Sequence, residues 1–382
     1  MSYNLSRYDI RFLDYMYKIG NVLSIVPAYS FDKCVLIAPH LTKLYAYIFL
    51  ILEILGTTWI IYIRRFSSDI SFFTITFRLL GTCDNLILTV FKISLILGIC
   101  CFKQQSWLKL NNKFQFIDKE LHNRGRKESR LLQNVYIQFF LCNLIFFSSV
   151  VFTIVVRILE KGFSTLKMFV IHEVSGYYNF YVHVLIWNIA LAFRARYKCV
   201  NEQIDKILCT ARKEYPVQLL KEIEKMSTLL GEMVALFNDI FGLPMVFMTG
   251  RCVIKTLVAL NFFTSTLHID NPTLRNRLTI SSIGQSVVPL VLIGILILCC
   301  DSAKSESQKT VLLCYKLRQK YSDQPEIQKE VLELAHVIDK HRAIFTAGGF
   351  FEVNRSALFG ILGTTTTYLI VTIQFNQSLK YV

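Results

Sequence analysis

Five ionisable residues stand inside stretches of the sequence that are otherwise apolar: Glu53, Asp84, Lys92, Arg251 and Lys255. Arg251 and Lys255 are four apart, so on a helix they share one face. An ionised group at the centre of a bilayer costs about 2.5–3.5 kcal/mol on the insertion scale, so such groups face protein or an aqueous cavity. Depth counted along each stretch sets Asp84 level with Lys255, and Glu53 level with Lys92 and Arg251. The chemistry on offer is charge pairing across helices, either as packing alone or as the wall of a wet pocket.

A second group lies in 168–193, which carries Glu173, Tyr177, Tyr178, Phe180, Tyr181, His183 and Trp187. Aromatic rings with polar tips suit a mostly apolar small-molecule pocket with a few orienting hydrogen bonds. They suit ordinary packing and an interfacial belt equally well. Asn261, Gln285 and Asp84 are placed to complete such a pocket. A third group lies near the end of the chain, where Thr367, Val371, Gln374 and Ser378 fall along one helical stripe with Tyr368, Thr372 and Phe375 beside it. If several copies surround an axis, that stripe lines a narrow path. Gln374 would then meet a partly dehydrated ion, and Phe375 or Ile373 would form an apolar constriction. The competing reading is a helix-packing seam that uses Thr and Gln as interhelical hydrogen-bonders.

Motifs for catalysis are missing. There is no GxSxG, no GxxxxGK and no HExxH, and His336 and His341 read as a solvated helix face. The eleven cysteines show no CxxC or metal-ligand spacing, so neither a disulfide framework, a metal site nor a cofactor is expected.

The elements that must carry these groups follow from composition. Of 382 residues, 53% are hydrophobic and 18% charged, well below the quarter usual in soluble domains. The apolar residues run in blocks, and a helix needs roughly 20 of them to cross a bilayer. Seven stretches qualify: 44–63, 79–102, 135–156, 168–193, 240–266, 278–300 and 357–375. The first 43 residues hold no basic region followed by an apolar run and a cleavage site, so the first span is expected to act as its own anchor. With the N-terminus in the cytoplasm, the inner segments hold 29 basic residues and the outer ones 8. The positive-inside rule selects that orientation and puts the C-terminus outside. The net charge of +15 is thereby explained without nucleic acid.

The inner segments are themselves patterned. Leu220, Ile223, Met226, Leu230, Met233 and Phe237 recur at spacings of three and four, and Ile327, Val331, Leu334 and Ile338 repeat the pattern. Both predict amphipathic helices, either bundled in the cytoplasm as extensions of the membrane helices or lying on the anionic leaflet. The expected architecture is an all-α membrane protein with seven transmembrane helices. Its parts are an arm (1–43), six spans with helical extensions (44–300), further cytoplasmic helices (301–356) and a last span with a short tail (357–382).

Thr367-Tyr368, five further residues, then Gln374-Phe375 resembles the C-terminal signature of the insect gustatory receptors. Four fixed residues at set spacing arise by chance at roughly one starting point in 10⁵, so the match is specific. The run Phe345-Thr346-Ala347-Gly348-Gly349-Phe350-Phe351, followed by Ser356-Ala357-Leu358-Phe359-Gly360-Ile361-Leu362, is similar to the same family's stretch leading into its last helix. The resemblance implies a ligand-gated, non-selective cation channel built as a homo- or hetero-tetramer. It implies a pore lined by the last helix, a cytoplasmic anchor made by the inner helical extensions, and a pocket for a small-molecule tastant. Carried over by position, Gln374 and Phe375 lie at the constriction, while Thr367 and Tyr368 support the pore helix. Sugar-sensing members carry a glutamate directly after the motif's tyrosine; Leu369 here points instead to the bitter-type or uncharacterised members. The localisation implied is the plasma membrane of sensory neurons. The rivals are a non-conducting modulatory subunit and a G-protein-coupled-type receptor. The latter is opposed by the charge count and by the lack of D-R-Y-like and N-P-x-x-Y motifs. A transporter would show repeated halves, and Pro244 and Pro289 occur without a matched repeat.

Overall fold

The computed structural model describes residues 10–66, 75–122, 135–161, 166–209, 217–266 and 272–378. A 3₁₀ turn (Ile10–Leu13) and α1 (Asp14–Val22) open the chain, followed by a two-stranded antiparallel hairpin, β1 (Tyr29–Ser30) and β2 (Val35–Leu36). Then come α2 (Pro39–Phe66), α3 (Ile75–Leu95), a π-helical continuation of α3 (Ile96–Phe102), α4 (Gln104–His122) and α5 (Val135–Lys161). Three very long helices follow: α6 (Leu166–Cys209), α7 (Val217–Thr266) and α8 (Pro272–Lys320). The chain closes with α9 (Pro325–Lys340), the hairpin β3 (Thr346–Ala347) and β4 (Phe351–Glu352), and α10 (Arg355–Ser378).

Six stretches among the described residues are long and apolar enough to cross a membrane, in α2, α3 with its continuation, α5, α7, α8 and α10. The remaining expected span falls on α6, the least apolar of the seven. Its position explains why: residues 181–190 are all buried, so α6 is the central post of the bundle and its polar side chains meet protein rather than lipid. By contrast α2 and α5 expose Ile48, Leu52, Leu55, Phe140, Ile145 and Phe152, as lipid-facing helices do.

At 1.5 Å per residue, the 50 residues of α7 span about 75 Å, more than twice a hydrocarbon core. The excess is the predicted amphipathic stretch. Leu220, Ile223, Met226, Leu230, Met233 and Phe237 are all buried, as are Val331, Leu334 and Ile338 of α9. These faces are therefore covered by neighbouring helices, and the bundle continues beyond the apolar zone.

The N-terminal arm does not hang free. Ile10, Leu13, Met16, Tyr17, Ile25 and Val26 are buried. Tyr17 lies between the rings of Phe31 and Trp107, with centroids at 5.4 and 4.9 Å. Burial raises the Tyr17 hydroxyl pKa above its ordinary value. The Ile10 backbone N–H donates to Asp118 Oδ2 at 2.7 Å, and Arg196 Nη2 donates to the same oxygen at 2.6 Å.

Candidate functional site

The intramembrane charges are brought together in two pairs. Lys92 of α3, 2% exposed, donates to Glu53 of α2 in close contact and to Ser175 Oγ of α6 at 3.0 Å. Its ammonium lies 5.4 Å from the centre of the Tyr178 ring, a cation–π distance. On α7, Arg251 Nε donates to Asp84 Oδ1 at 3.1 Å. Asp84, expected level with Lys255, thus meets the guanidinium one turn away along the same helix face. Pairing is the condition for carrying these charges in an apolar bundle, where an uncompensated one costs several kcal/mol.

Beside the second pair is a small polar cavity of about 10 Å³, roughly what one buried water needs. Asn179 and His183 of α6 line it, with Met248, Arg251, Cys252 and Lys255 of α7 and Pro289 of α8. His183 Nδ1 lies 2.8 Å from the Asn179 carbonyl oxygen. A carbonyl only accepts, so Nδ1 carries the proton of this contact. Asn179 Oδ1 and Arg251 Nη2 are buried with no hydrogen-bond partner among the described residues. Orphaned buried polar atoms of both signs, one acceptor and one donor, are what a water or a ligand's polar group would satisfy.

The sequence-predicted aromatic group is only partly gathered here. Tyr178 is buried against Lys92, Phe49 and Phe91. Tyr181 is fully buried, and its hydroxyl donates to the Met16 carbonyl of the arm. Tyr177 is half-buried among Phe146, Phe147 and Phe180, and donates to Asn143 Oδ1 at 3.1 Å. Asn261 is buried on α7, and its carbonyl accepts from Thr264 Oγ1 at 2.9 Å. The side chains of Glu173 and Gln285 lie outside the described residues. Sequence reasoning did not single out Asn179, Met248 or Cys252, and named Pro289 only in weighing a transporter. The i,i+4 spacing of Asn179 with His183, repeated by Arg251 with Lys255, was the available signal.

A larger groove of about 660 Å³ lies between α4 and α7, lined in part by Lys113, Phe116, Lys221, Glu224 and Glu232. It is open and rimmed by charge, and the Lys113–Glu232 ion pair closes part of its wall. The smaller cavity, unlike the groove, is bordered by the intramembrane charge Arg251 and by His183.

The last helix presents a different surface. Ile361 and Thr365 are buried where α10 packs on α7 and α8. Thr367, Tyr368, Ile370, Val371, Ile373 and Gln374 are exposed, and the side chain of Phe375 lies outside the described residues. At about 100° per residue, the Thr367–Val371–Gln374 stripe is centred about 130° around the helix from Ile361 and Thr365. Thr367 Oγ1 donates to the Gly363 carbonyl at 3.0 Å, and Thr372 Oγ1 to the Tyr368 carbonyl at 2.7 Å. With their protons engaged on the backbone, these hydroxyls offer lone pairs to whatever lies alongside.

A family model described as 7tm chemosensory receptor matches residues 13–379. Among curated proteins, the chain is 36% identical over 55 residues to putative gustatory receptor 28a of Drosophila melanogaster, 14% of this chain and 12% of that protein. It is 32% identical over 87 residues to gustatory receptor 68a of the same organism, 22% of each chain. The matched stretches therefore span well under two thirds of either relative. The fold is similar to that of the insect olfactory receptor OR5 from Machilis hrabei, with a TM-score of 0.63 and 14% identity over 96% of this chain and 99% of that one. The same receptor in complex with eugenol gives a TM-score of 0.60 at 13% identity, with the same coverage.

Proposed function

The chain belongs to the 7tm chemosensory receptor family, and from that premise we propose that it is a gustatory receptor subunit, a ligand-gated non-selective cation channel opened by a small organic molecule. Four subunits, alike or mixed, surround a common axis lined by α10. The N-terminus lies in the cytoplasm, a reading supported by 29 basic residues in the inner segments against 8 in the outer ones. The extensions of α6, α7 and α8, with α9, hold the subunits together below the membrane. The setting is the plasma membrane of a sensory neuron.

One observation carries the reading. The stripe Thr367–Val371–Gln374 is polar-edged and faces away from the bundle's own core, and its Thr367 hydroxyl, donating to the Gly363 carbonyl, offers lone pairs outward. Lipid gives such a surface nothing to bond, whereas a shared aqueous axis does. Gln374 with Ile373 and Phe375 forms the narrowest part, and Thr367 and Tyr368 support the helix beneath it. The ligand enters the cavity at Asn179, His183 and Arg251, which widens to admit it, with Tyr177, Tyr178, Tyr181, Asp84, Asn261, Glu173 and Gln285 around or behind it. Leu369 favours a bitter-type ligand over a sugar.

Whole-cell recording with a panel of bitter compounds and sugars, with and without co-expressed subunits, tests this. Gln374→Ala should alter cation permeability ratios in a channel that the native chain forms. Unchanged permeability would remove α10 from the pore, and currents seen only when a partner's own pore residues are intact would make this chain a modulatory subunit.

A further inference from the structure

The segment that enters α10, residues 341–352, is held by α7 at three levels. Gly231 lies under His341 so closely that a Cβ there would overlap the His341 carbonyl. Two turns on, Asn238 binds the segment as a strand would, with Nδ2 donating to the Ile344 carbonyl at 2.7 Å and Oδ1 accepting the Thr346 N–H at 3.0 Å. One further turn on, a Cβ at Gly242 would lie 2.9 Å from the Gly348 nitrogen. Gly348 and Gly349, at φ +57° and +76°, then turn the chain back through β4 into α10. Between these contacts Phe345 wedges against Phe193 and Phe237, and α8 adds Ser307 Oγ, which accepts the Ala343 N–H at 2.9 Å.

Further along the same helix are Met248, Arg251, Cys252 and Lys255 of the polar cavity, about 15–26 Å from Asn238. Pro244 separates the two regions. It has no N–H to give the Ile240 carbonyl, so the α7 backbone ladder lacks one bond between the cavity and Asn238. We propose that Asn238, set between Gly231 and Gly242, is a positioning residue that transmits bending of α7 at Pro244 to the angle at which α10 leaves the bundle. The inference deepens the channel reading and rests on it for its functional half. A small change in the cavity then moves the last helix without any contact between the two, because one element is shared by both sites.

Two measurements on the full-length chain decide it. The first needs neither ligand nor current: hydrogen exchange in phosphatidylcholine nanodiscs. Asn238→Ala should speed exchange within 341–352 by about tenfold, the worth of one to two hydrogen bonds, with α9 unchanged. Gly242→Ala should act on the same amides by overfilling. Unaltered exchange in both variants overturns the cradle. The second is the ligand-free cation current per surface channel, set by surface biotinylation. Both variants should change it several-fold, and Pro244→Ala combined with Asn238→Ala should be non-additive. Faster exchange with an unchanged ligand-free current reduces Asn238 to a structural contact and overturns the positioning role. If the native chain conducts in no subunit combination, the channel reading fails and the gating role falls with it, while the exchange result stands separately on the cradle.

Discussion

Arg251 Nε and Asp84 Oδ1 meet at 3.1 Å and tie α7 to α3 within the apolar bundle, both side chains under a tenth exposed. Removing one partner of a buried pair leaves a charge without its counter-charge, at about 3–5 kcal/mol, whereas replacing both by apolar groups of similar size is near neutral. Asp84→Leu and Arg251→Met should each lower the thermal midpoint of the detergent-purified chain and its surface level. The double variant should recover most of both while remaining insensitive to ligand. A double variant no better than the singles would show that the pair contributes more than charge balance.

The arm supplies a second case. Asp118 Oδ2 accepts from both Ile10 N and Arg196 Nη2, while the Arg196 guanidinium lies 4.6 Å from the centre of the Phe114 ring. Asp118→Ala should destabilise the fold by about 3 kcal/mol or more and loosen the arm. Limited proteolysis should then cut near residues 22–38 before any other site. Arg196→Lys should lose part of this, because an ammonium cannot reproduce a planar fork stacked on a ring. Equal protease resistance in native and Asp118→Ala chains would refute the arm's dependence on this oxygen.

The contrast between these two pairs shows what was legible beforehand. Asp84 and Arg251 stand out because charge inside an apolar run is costly wherever it occurs, so the sequence marks both partners. Asp118 and Arg196 sit in polar segments where charges are expected, and only the fold reveals that they are buried. The helix register of Leu220 to Phe237 was readable because periodicity survives whatever covers the face. The crowding of Tyr178 and Tyr181 into the core was not, because a ring with a polar tip suits a pocket and a packed interior alike. The cavity residues Asn179 and Met248 escaped for a related reason: a cavity is formed by three helices together, and no one of them encodes it.

The approach to α10 carries an acid-sensitive contact. Glu352 accepts from Lys304 Nζ at 2.6 Å, and this hydrogen bond chiefly holds its carboxyl pKa below the ordinary carboxylate value. A group whose pKa is lowered by folding contributes stability above its unfolded value and loses it as pH falls through the folded one. Exchange protection of 351–357 should therefore be level from neutral pH down to about 4.5 and fall below that. Glu352→Gln should flatten this acid limb, and because the carboxylate is well exposed, high salt should shrink it as well. An acid limb identical in the Gln variant would assign it to another carboxylate.

Thr365 and Thr367 offer the most direct test of how α10 is turned. Both hydroxyls donate to the carbonyl four residues back, so their local bonding is the same. Thr365 is 6% exposed and faces the bundle, whereas Thr367 is exposed on the opposite side. Valine keeps the shape of either side chain and removes only the oxygen. If Thr367 looks into the conducting path, Thr367→Val removes a lone-pair donor to a passing cation. A loss of about 0.5–1.5 kcal/mol there corresponds to a 2- to 10-fold fall in unitary conductance, with surface expression unchanged. Thr365→Val removes no pore oxygen and should leave conductance alone, altering at most the thermal midpoint. The reverse pattern, with conductance following Thr365, would require α10 to be rotated by half a turn about its own axis. The exposed stripe would then belong to lipid or to a neighbouring subunit.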